Sequence, residues 1–250
     1  MRGRLWADVL LFTLLALAAW QGLHLVTGAT ALSSPLQTAA RLAVLLGTSW
    51  FWPHVAETAR ALGLALVIAA LGGLLLGTSI GASRLATAVG EPVLVSLSSL
   101  PKITLYPVIL LLFGLGMSAK VAFGAIHGIV PVTLFTLNAV RNIPPVLLRT
   151  ARTLRLGPRD TAVHVIVPAA LPEIFSGLRM GFGLTLLGVL IGEMFASQRG
   201  LGFLVMRAIG QNDVPTMMAV TLLLVAFAVV ASVFLFDLDR RLHRGRVTGT

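Results

Sequence analysis

The chain has 250 residues, of which 57% are hydrophobic and only 11% are charged. This composition is far from that of a soluble protein and is typical of a protein that crosses a membrane several times. The absence of cysteine excludes disulfide bonds and thiolate metal sites. The net charge of +10 does not indicate nucleic-acid binding, because little of the chain is polar enough to form a basic surface.

Long runs without charged residues predict six membrane-spanning helices, since about 20 apolar residues cross the hydrocarbon core. The third is interrupted by Pro101 and Lys102, so we expect it to be kinked or broken. The predicted fold is an all-α, polytopic membrane protein with a single membrane domain, residues 1–250. The predicted spans are residues 5–26, 61–83, 92–115, 121–138, 178–195 and 215–236.

Two interpretations fit the first predicted span. Arg2 and Arg4 precede it, and the segment Ala16-Leu17-Ala18 resembles a signal-peptide cleavage site. However, the apolar run is longer than the usual signal core of about 7–15 residues, and five further spans follow. We therefore favour an uncleaved anchor over a cleaved signal peptide.

The second predicted span carries a glycine every four residues, at Gly73, Gly77 and Gly81. The segment from Gly77 to Gly81 also fits the G-x-S-x-G pattern of hydrolases, with Ser79 as the nucleophile. That motif requires a strand-to-helix turn, whereas this one lies in an apolar helix. We therefore favour close packing of the glycine stripe against another helix. A membrane-embedded serine hydrolase that uses Ser79 and His127 is the alternative hypothesis.

Other chemistry finds little support in the sequence. The only lysines, Lys102 and Lys120, do not follow the glycine that a phosphate-binding loop requires, so the chain is not expected to hydrolyse ATP by that route. Glu193, an acid inside a predicted span, lies near the outer end of that span, whereas ion-coupled carriers usually hold a carboxylate near the bilayer centre. A secondary transporter is thus a third hypothesis. The five histidines are too scattered to predict a metal site, and no catalytic residue is assigned.

The arginines and lysines predict the orientation of the chain. With the N-terminus placed in the cytoplasm, thirteen of the nineteen fall on the inner side and five on the outer side. The bias predicts that both termini and the loop of residues 141–177 are cytoplasmic.

The pattern of glycine and proline in this loop predicts two short helices, residues 146–156 and 159–167. Gly157 is expected to end the first in a left-handed conformation, and Pro158 suits the first turn of the second. Pro168 and Pro172 are expected to stop the second helix.

The second predicted helix has a small apolar face flanked by polar residues, typical of a helix that docks into the groove of a partner protein. The other interpretation is an amphipathic helix that rests on lipid headgroups. The apolar residues are Ala162, Val163 and Ile166, and the flanking residues are Arg159, Asp160 and His164.

Residues 149–179, RTARTLRLGPRDTAVHVIVPAALPEIFSGLR, resemble the cytoplasmic signature loop of the inner-membrane permeases of binding-protein-dependent ABC importers. The family pattern is E-A-A, three residues, Gly, nine residues, Ile, one residue and Leu-Pro. Ala151 and Pro168 match it, Val165 and Val167 are conservative replacements, and Arg149 and Arg155 replace its Glu and Gly. The segments 99–116, 168–172, 176–179 and 199–202 resemble the alkanesulfonate, taurine and nitrate branch, and the resemblance covers about residues 52–241.

The resemblance implies a type I importer permease that forms the translocation pathway for a small anionic solute in a bacterial inner membrane. It implies ATPase subunits that bind ATP and Mg²⁺, an external solute-binding protein, a second permease chain and surrounding lipid as partners, with no cofactor in this chain. It also implies that loop 141–177 couples to the ATPase. The predicted coupling residues are Arg149, Ala151, Arg155, Gly157, Arg159, Asp160, Ala162, Val163, His164, Ile166 and Pro168.

Lys102 is the remaining unusual residue, because a lysine within a span should face protein or a water-filled cavity. With Thr104 and Tyr106 it is predicted to offer a positive station for an anion in the translocation pathway, to which Glu193 is also assigned. The alternative places Lys102 near the cytoplasmic headgroups, where its long stem reaches water.

Overall fold

The structure of the protein is a computed structural model that describes residues 2–244, and within this range it is all-α, as predicted. Within residues 2–244 no strand occurs between the helices. The helices are α1 Arg2–Thr27, α2 Pro35–Leu46, α3 Trp52–Gly81, α4 Arg84–Ser99, α5 Tyr106–Phe113, α6 Met117–Arg141, α7 Pro145–Thr153, α8 Pro158–Thr161, α9 Val167–Ala196, α10 Leu201–Gly210 and α11 Val214–Arg244.

Five helical segments are long and apolar enough to cross a membrane: α1, α3, α6, the segment that contains α9, and α11. A sixth crossing requires α4 and α5 together, which are bent by 89° at a short 3₁₀ turn, Lys102–Leu105. The predicted break at Pro101 and Lys102 is therefore confirmed. Leu100, which precedes the proline, has an extended backbone (ψ 138°), because the proline ring disfavours the helical conformation of the residue before it.

The centre of the fold is α6, which lies between α3 and α9. Small residues allow this close approach, because a Cβ added at Gly73 or Gly77 of α3 would lie 2.5 Å from Val132 or Thr136 of α6. On the other side, a Cβ at Gly188 of α9 would lie 2.9 Å from the Cα of Gly124. Two glycine-lined surfaces therefore bury α6, and Phe123 and Leu137 are completely inaccessible.

Two short helices that the sequence analysis did not predict lie between the spans. The 12-residue α2 begins with a capping box, in which the Ser34 hydroxyl accepts a hydrogen bond from the Gln37 amide. The 10-residue α10 follows the turn after α9, and Leu201 and Leu204 pack with Phe51 into a buried cluster. Both helices are too short to cross a bilayer, which is why a search for long apolar runs misses them.

Candidate functional site

The predicted coupling loop begins where Arg141, at the end of α6, forms an ion pair with Glu91 of α4. The next helix, α7, is shorter than predicted and ends in a Schellman motif. The Leu156 amide donates to the Ala151 carbonyl at 3.0 Å, and the Arg155 amide donates to the Arg152 carbonyl at 3.0 Å. The left-handed residue of this motif is Arg155 (φ 54°).

The prediction that Gly157 is the left-handed cap was therefore wrong. Gly157 has an extended backbone (φ −63°, ψ 164°) and precedes α8 as its N-cap. The position that takes the left-handed conformation is the one at which the family pattern has glycine, and in this chain it is occupied by Arg155.

The second predicted helix does not stop at Pro168 or Pro172, which corrects another expectation. It continues from α8 through a π-helical turn, Ala162–Ile166, into α9, so residues 158–196 form one helical segment. In the π turn the Val167 amide donates to the Ala162 carbonyl, five residues earlier. We infer that this wider turn leaves space for the ring of Pro168, which would clash with the carbonyl four residues earlier in a regular α-helix.

An apolar groove separates α7 from the π turn. Ala151, 2% exposed, lies at its base with Leu147 and Leu154 on one side and Val165 on the other. The three apolar residues of the predicted docking face differ in their exposure. Ala162 and Ile166 are half-buried, whereas Val163 is 53% exposed.

The other predicted coupling residues are either exposed on the loop or line this groove. Arg149, Arg159 and Asp160 are exposed, and the ring of His164 lines the groove, with Nδ1 3.2 Å from the Asp160 carbonyl oxygen. Pro168 lines the groove as well. Of the predicted coupling residues, Ala151, His164 and Pro168 thus line the groove.

A buried polar cluster, which the sequence analysis did not predict, lies at the opposite end of α6. The Lys120 ammonium, 1% exposed, donates to Glu57 Oε1 at 2.9 Å, to Ser197 Oγ at 3.1 Å and to the Arg199 carbonyl at 3.2 Å. Glu193 Oε1 lies 3.8 Å from the same nitrogen. The cation therefore joins α3, α6, α9 and the turn that follows α9.

Glu193 fixes the turn of residues 197–202 from within the core. Its carboxylate is completely buried, accepts a hydrogen bond from the Gly202 amide at 3.0 Å, and lies 2.9 and 3.0 Å from the Thr58 hydroxyl oxygen. The Thr58 oxygen in turn accepts the Leu201 amide at 2.8 Å. Gly200 has φ +123°, and a Cβ there would collide with the Glu193 carboxylate. Both carboxylate oxygens of Glu193 thus contact donor groups of the protein.

The predicted pathway residues lie in two different environments. Lys102 is partly exposed at the bend between α4 and α5, and its ammonium donates to the Ser98 carbonyl at 3.2 Å. Thr104 is exposed beside it and donates to the Pro101 carbonyl. Tyr106, by contrast, is buried and donates to the Gly192 carbonyl at 2.7 Å, near Glu193. The structure does not bring the four residues into one site.

The alternative hydrolase hypothesis gains no geometric support. The exposed Ser79 hydroxyl donates to the Leu75 carbonyl of its own helix at 2.6 Å. The buried His127 ring hydrogen-bonds through Nδ1 with the Phe123 carbonyl at 2.8 Å. Among the described residues neither side chain bonds to the other, and no group of three or more His, Asp or Glu residues could hold a metal ion.

A separate polar contact ties α2 to the turn before α11. Arg41 Nε donates to Thr216 Oγ1 at 2.9 Å, and Arg41 Nη2 lies 3.4 Å from Asp213 Oδ2. Burial acts to raise the pKa of the Asp213 carboxyl, but hydrogen bonds from Thr216 and the charge of Arg41 outweigh it and hold the pKa below its ordinary value. Asp213 therefore stays ionised next to the arginine.

Comparison with known proteins supports one family. The model of the family described as "binding-protein-dependent transport system inner membrane component" matches residues 69–246. The taurine transport system permease protein TauC of Escherichia coli is 30% identical over 223 residues, which cover 87% of this chain and 79% of TauC. The riboflavin transport system permease protein RibX of Chloroflexus aurantiacus is 33% identical over 224 residues, which cover 89% of this chain and 81% of RibX.

The fold also has a counterpart among solved structures. An inward-facing structure of the methionine ABC transporter MetNI contains a chain that superimposes with a TM-score of 0.58. The sequences are 20% identical, and the match covers 76% of this chain and 93% of the other. At this identity the likeness concerns the fold alone.

Proposed function

This chain belongs to the binding-protein-dependent transport system inner membrane components and is a permease subunit of an ABC importer, and we propose that it takes up a small anionic solute and couples to its ATPase through loop 141–177. The observation that carries the coupling proposal is Val163, an apolar side chain left 53% exposed on a helical segment that continues into α9. Burying it in a groove of a partner is favourable and gives the segment a defined contact.

In the proposed assembly, two permease chains, two ATPase subunits and an external solute-binding protein act together. The ATPase binds ATP and Mg²⁺, and its closure moves the segment of residues 158–166. The permease contributes the pathway and no covalent chemistry. Alternating access then follows from rigid movement of the helices that continue from this segment. The protein is a multi-pass membrane protein, and we place it in the bacterial plasma membrane with both termini and loop 141–177 in the cytoplasm.

The test of coupling is Val163→Asp in the assembled transporter. A charge on the docking face is expected to release the ATPase and to abolish ATP-dependent uptake into proteoliposomes, because an unpaired carboxylate in an apolar groove is strongly unfavourable. Val163→Thr, which keeps the branched shape, is the matched control and should retain both properties. An Asp variant that keeps its ATPase in stoichiometric amounts and still imports contradicts the proposal.

The relatives are named for different solutes, so their names do not specify the charge of the solute. Lys102 supports the proposal that the solute is an anion. In the broken span this cation is partly exposed, and its one described hydrogen bond is to the Ser98 carbonyl, so two of its three donors have no acceptor among the described residues. An ammonium with free donors at the level of a span attracts an anion such as a sulfonate.

Lys102→Met tests this second proposal. We expect lower uptake of an anionic substrate, such as taurine or nitrate, with assembly and ATPase binding unchanged. Lys102→Arg retains the charge and should retain most of the uptake. Unchanged uptake by the Met variant over a range of salt concentrations leaves only the interpretation that the side chain reaches the headgroups.

A further inference from the structure

Four arginines in the coupling loop have no partner within the part of the chain that the structure describes. Arg149, Arg152, Arg155 and Arg159 are all exposed, and no described carboxylate forms an ion pair with any of them. The only acid between residues 142 and 166 is Asp160. The loop therefore presents an excess of three positive charges, without counting His164.

The helical geometry of α7 places two of these arginines on one side. Residues three apart lie on the same face of a helix, so Arg149 and Arg152 are neighbours. Leu147, Ala151 and Leu154 follow the complementary spacing and line the groove beside the π turn. The apolar side of α7 thus lines the groove, and the two arginines lie on the other side of the helix.

Arg155 adds an independent observation. Its backbone holds the left-handed conformation (φ 54°) that closes the Schellman motif. This conformation is unfavourable for a residue with a Cβ, whereas glycine adopts it without that cost. Backbone strain of this kind occurs at sites that bind a ligand or a partner. The strain also fixes where the arginine side chain leaves the loop.

From these observations we propose that the arginine surface of the loop, Arg149, Arg152, Arg155 and Arg159, binds an acidic surface on the ATPase subunit. The proposal rests on the proposed coupling function and adds the charge of the partner. Under this proposal the ATPase carries carboxylates that face Arg149, the residue that replaces the glutamate of the family pattern. Guanidinium groups bind carboxylates through paired hydrogen bonds, which gives the contact a fixed geometry.

Anionic lipid is the competing partner for such a surface, and two features favour a protein. Leu154 is 64% exposed and Val163 is 53% exposed within the same loop, so the loop presents apolar side chains as well as arginines. That mixture is typical of protein interfaces, in which arginine is enriched. In addition, the backbone at Arg155 is fixed by two hydrogen bonds, whereas attraction to headgroups requires no fixed geometry.

The experiment measures how tightly the ATPase subunit that co-purifies with the tagged wild-type chain rebinds to variants in nanodiscs. Arg149→Glu combined with Arg152→Glu is expected to weaken binding at least about tenfold, because like charges then face each other. Arg149→Lys combined with Arg152→Lys should lose less. Arg84→Glu changes an exposed arginine outside the loop that has no described ion pair and is the matched control.

Two further measurements separate the possible outcomes. Raising the salt concentration from about 0.1 M to 1 M, which shortens the screening length from about 10 Å to 3 Å, should weaken the wild-type complex more than the double-Glu variant. Arg155→Gly should raise the thermal stability of the permease while weakening ATPase binding, a combination that a purely structural role of Arg155 does not produce.

The proposal is overturned if the double-Glu variant binds the ATPase as wild type does, or if its defect appears in discs that contain phosphatidylglycerol and not in discs of phosphatidylcholine alone. In the second case the arginines bind lipid. Either result leaves the coupling function intact as long as Val163→Asp still releases the ATPase. If Val163→Asp has no effect, the coupling function itself fails.

Discussion

At the scale of single residues, the buried cluster around Lys120 depends on one cation. Each of the three N–H donors of its ammonium has an acceptor, and two carboxylates, Glu57 and Glu193, lie within 4 Å of it. A buried ion pair adds little net stability, because desolvation opposes the attraction. Removing one partner is different, since it leaves the other charge buried and uncompensated.

We therefore predict that Lys120→Met destabilises the protein by about 3–5 kcal/mol, and that adding Glu57→Gln restores part of the loss. Thermal unfolding in detergent micelles, followed by circular dichroism, measures the change. The only other lysine, Lys102, is partly exposed and supplies the control, because Lys102→Met removes a charge without isolating a carboxylate. Equal stability losses for the two lysine variants contradict this account of the cluster.

The contacts within this cluster could not be predicted from the sequence. Glu193 stands out as an acid within a predicted span, and a role in the pathway was the natural hypothesis. Its partners come from Thr58, Lys120 and Gly202, which belong to three other segments of the chain. Helical periodicity within one segment does not specify which side chains from distant segments meet. From the sequence, Lys120 is one of the five positive charges on the predicted outer side, and nothing in its own segment predicts its carboxylate partners.

At the scale of helices, the glycine stripe of α3 was readable from its spacing, because residues four apart share a helix face. A Cβ on Gly77 would lie 2.5 Å from Thr136 Cβ and 2.7 Å from the Thr133 carbonyl oxygen, and a carbonyl of the backbone cannot rotate away. The π turn was not readable, because it is defined by a shift in hydrogen-bond register that no residue type specifies. The expectation that Pro168 and Pro172 stop the helix therefore placed its end too early.

We predict that Gly77→Ala lowers the free energy of unfolding by about 1–3 kcal/mol, because α3 must move away from α6. Gly63 lies in the same helix with nothing within 4 Å of its added Cβ. Gly63→Ala should leave stability unchanged or raise it by about 0.5–1 kcal/mol, since alanine is the better helix former. Denaturation of both variants in the same micelles makes the comparison, and a smaller effect at Gly77 than at Gly63 contradicts the packing interpretation.

At the scale of the whole molecule, composition and the uncharged runs of the sequence were sufficient to predict the class of fold, the five long apolar helices and the break at Pro101 and Lys102. The neighbours of each helix were not predictable, because an apolar helix face can pack equally well against lipid or against another helix. The central place of α6 follows from glycines on both of its neighbours, a property of three helices together. The orientation of the chain in the membrane stays a prediction from its charge asymmetry.

That orientation predicts opposite labelling of two exposed turns. The chain has no cysteine, so Thr30→Cys, between α1 and α2, and Gly157→Cys, in the coupling loop, each introduce a single thiol. In intact cells an impermeant maleimide should label Cys at position 30 and leave position 157 unlabelled until the membrane is opened. The reverse pattern places the coupling loop outside and contradicts the proposed function.

The helical segment that begins at Pro158 and runs through the π turn to Phe195 has a mechanical consequence. Its 38 residues correspond to a rod of roughly 57 Å at 1.5 Å per residue. One end carries the loop surface, and the other ends at the turn held by Glu193. Glycine contacts with α6 run between them, from Gly177 to Gly192. The part from Pro158 to Gly177 extends roughly 28 Å beyond these contacts, so a tilt of about 10° about Gly177 moves the loop end by roughly 5 Å.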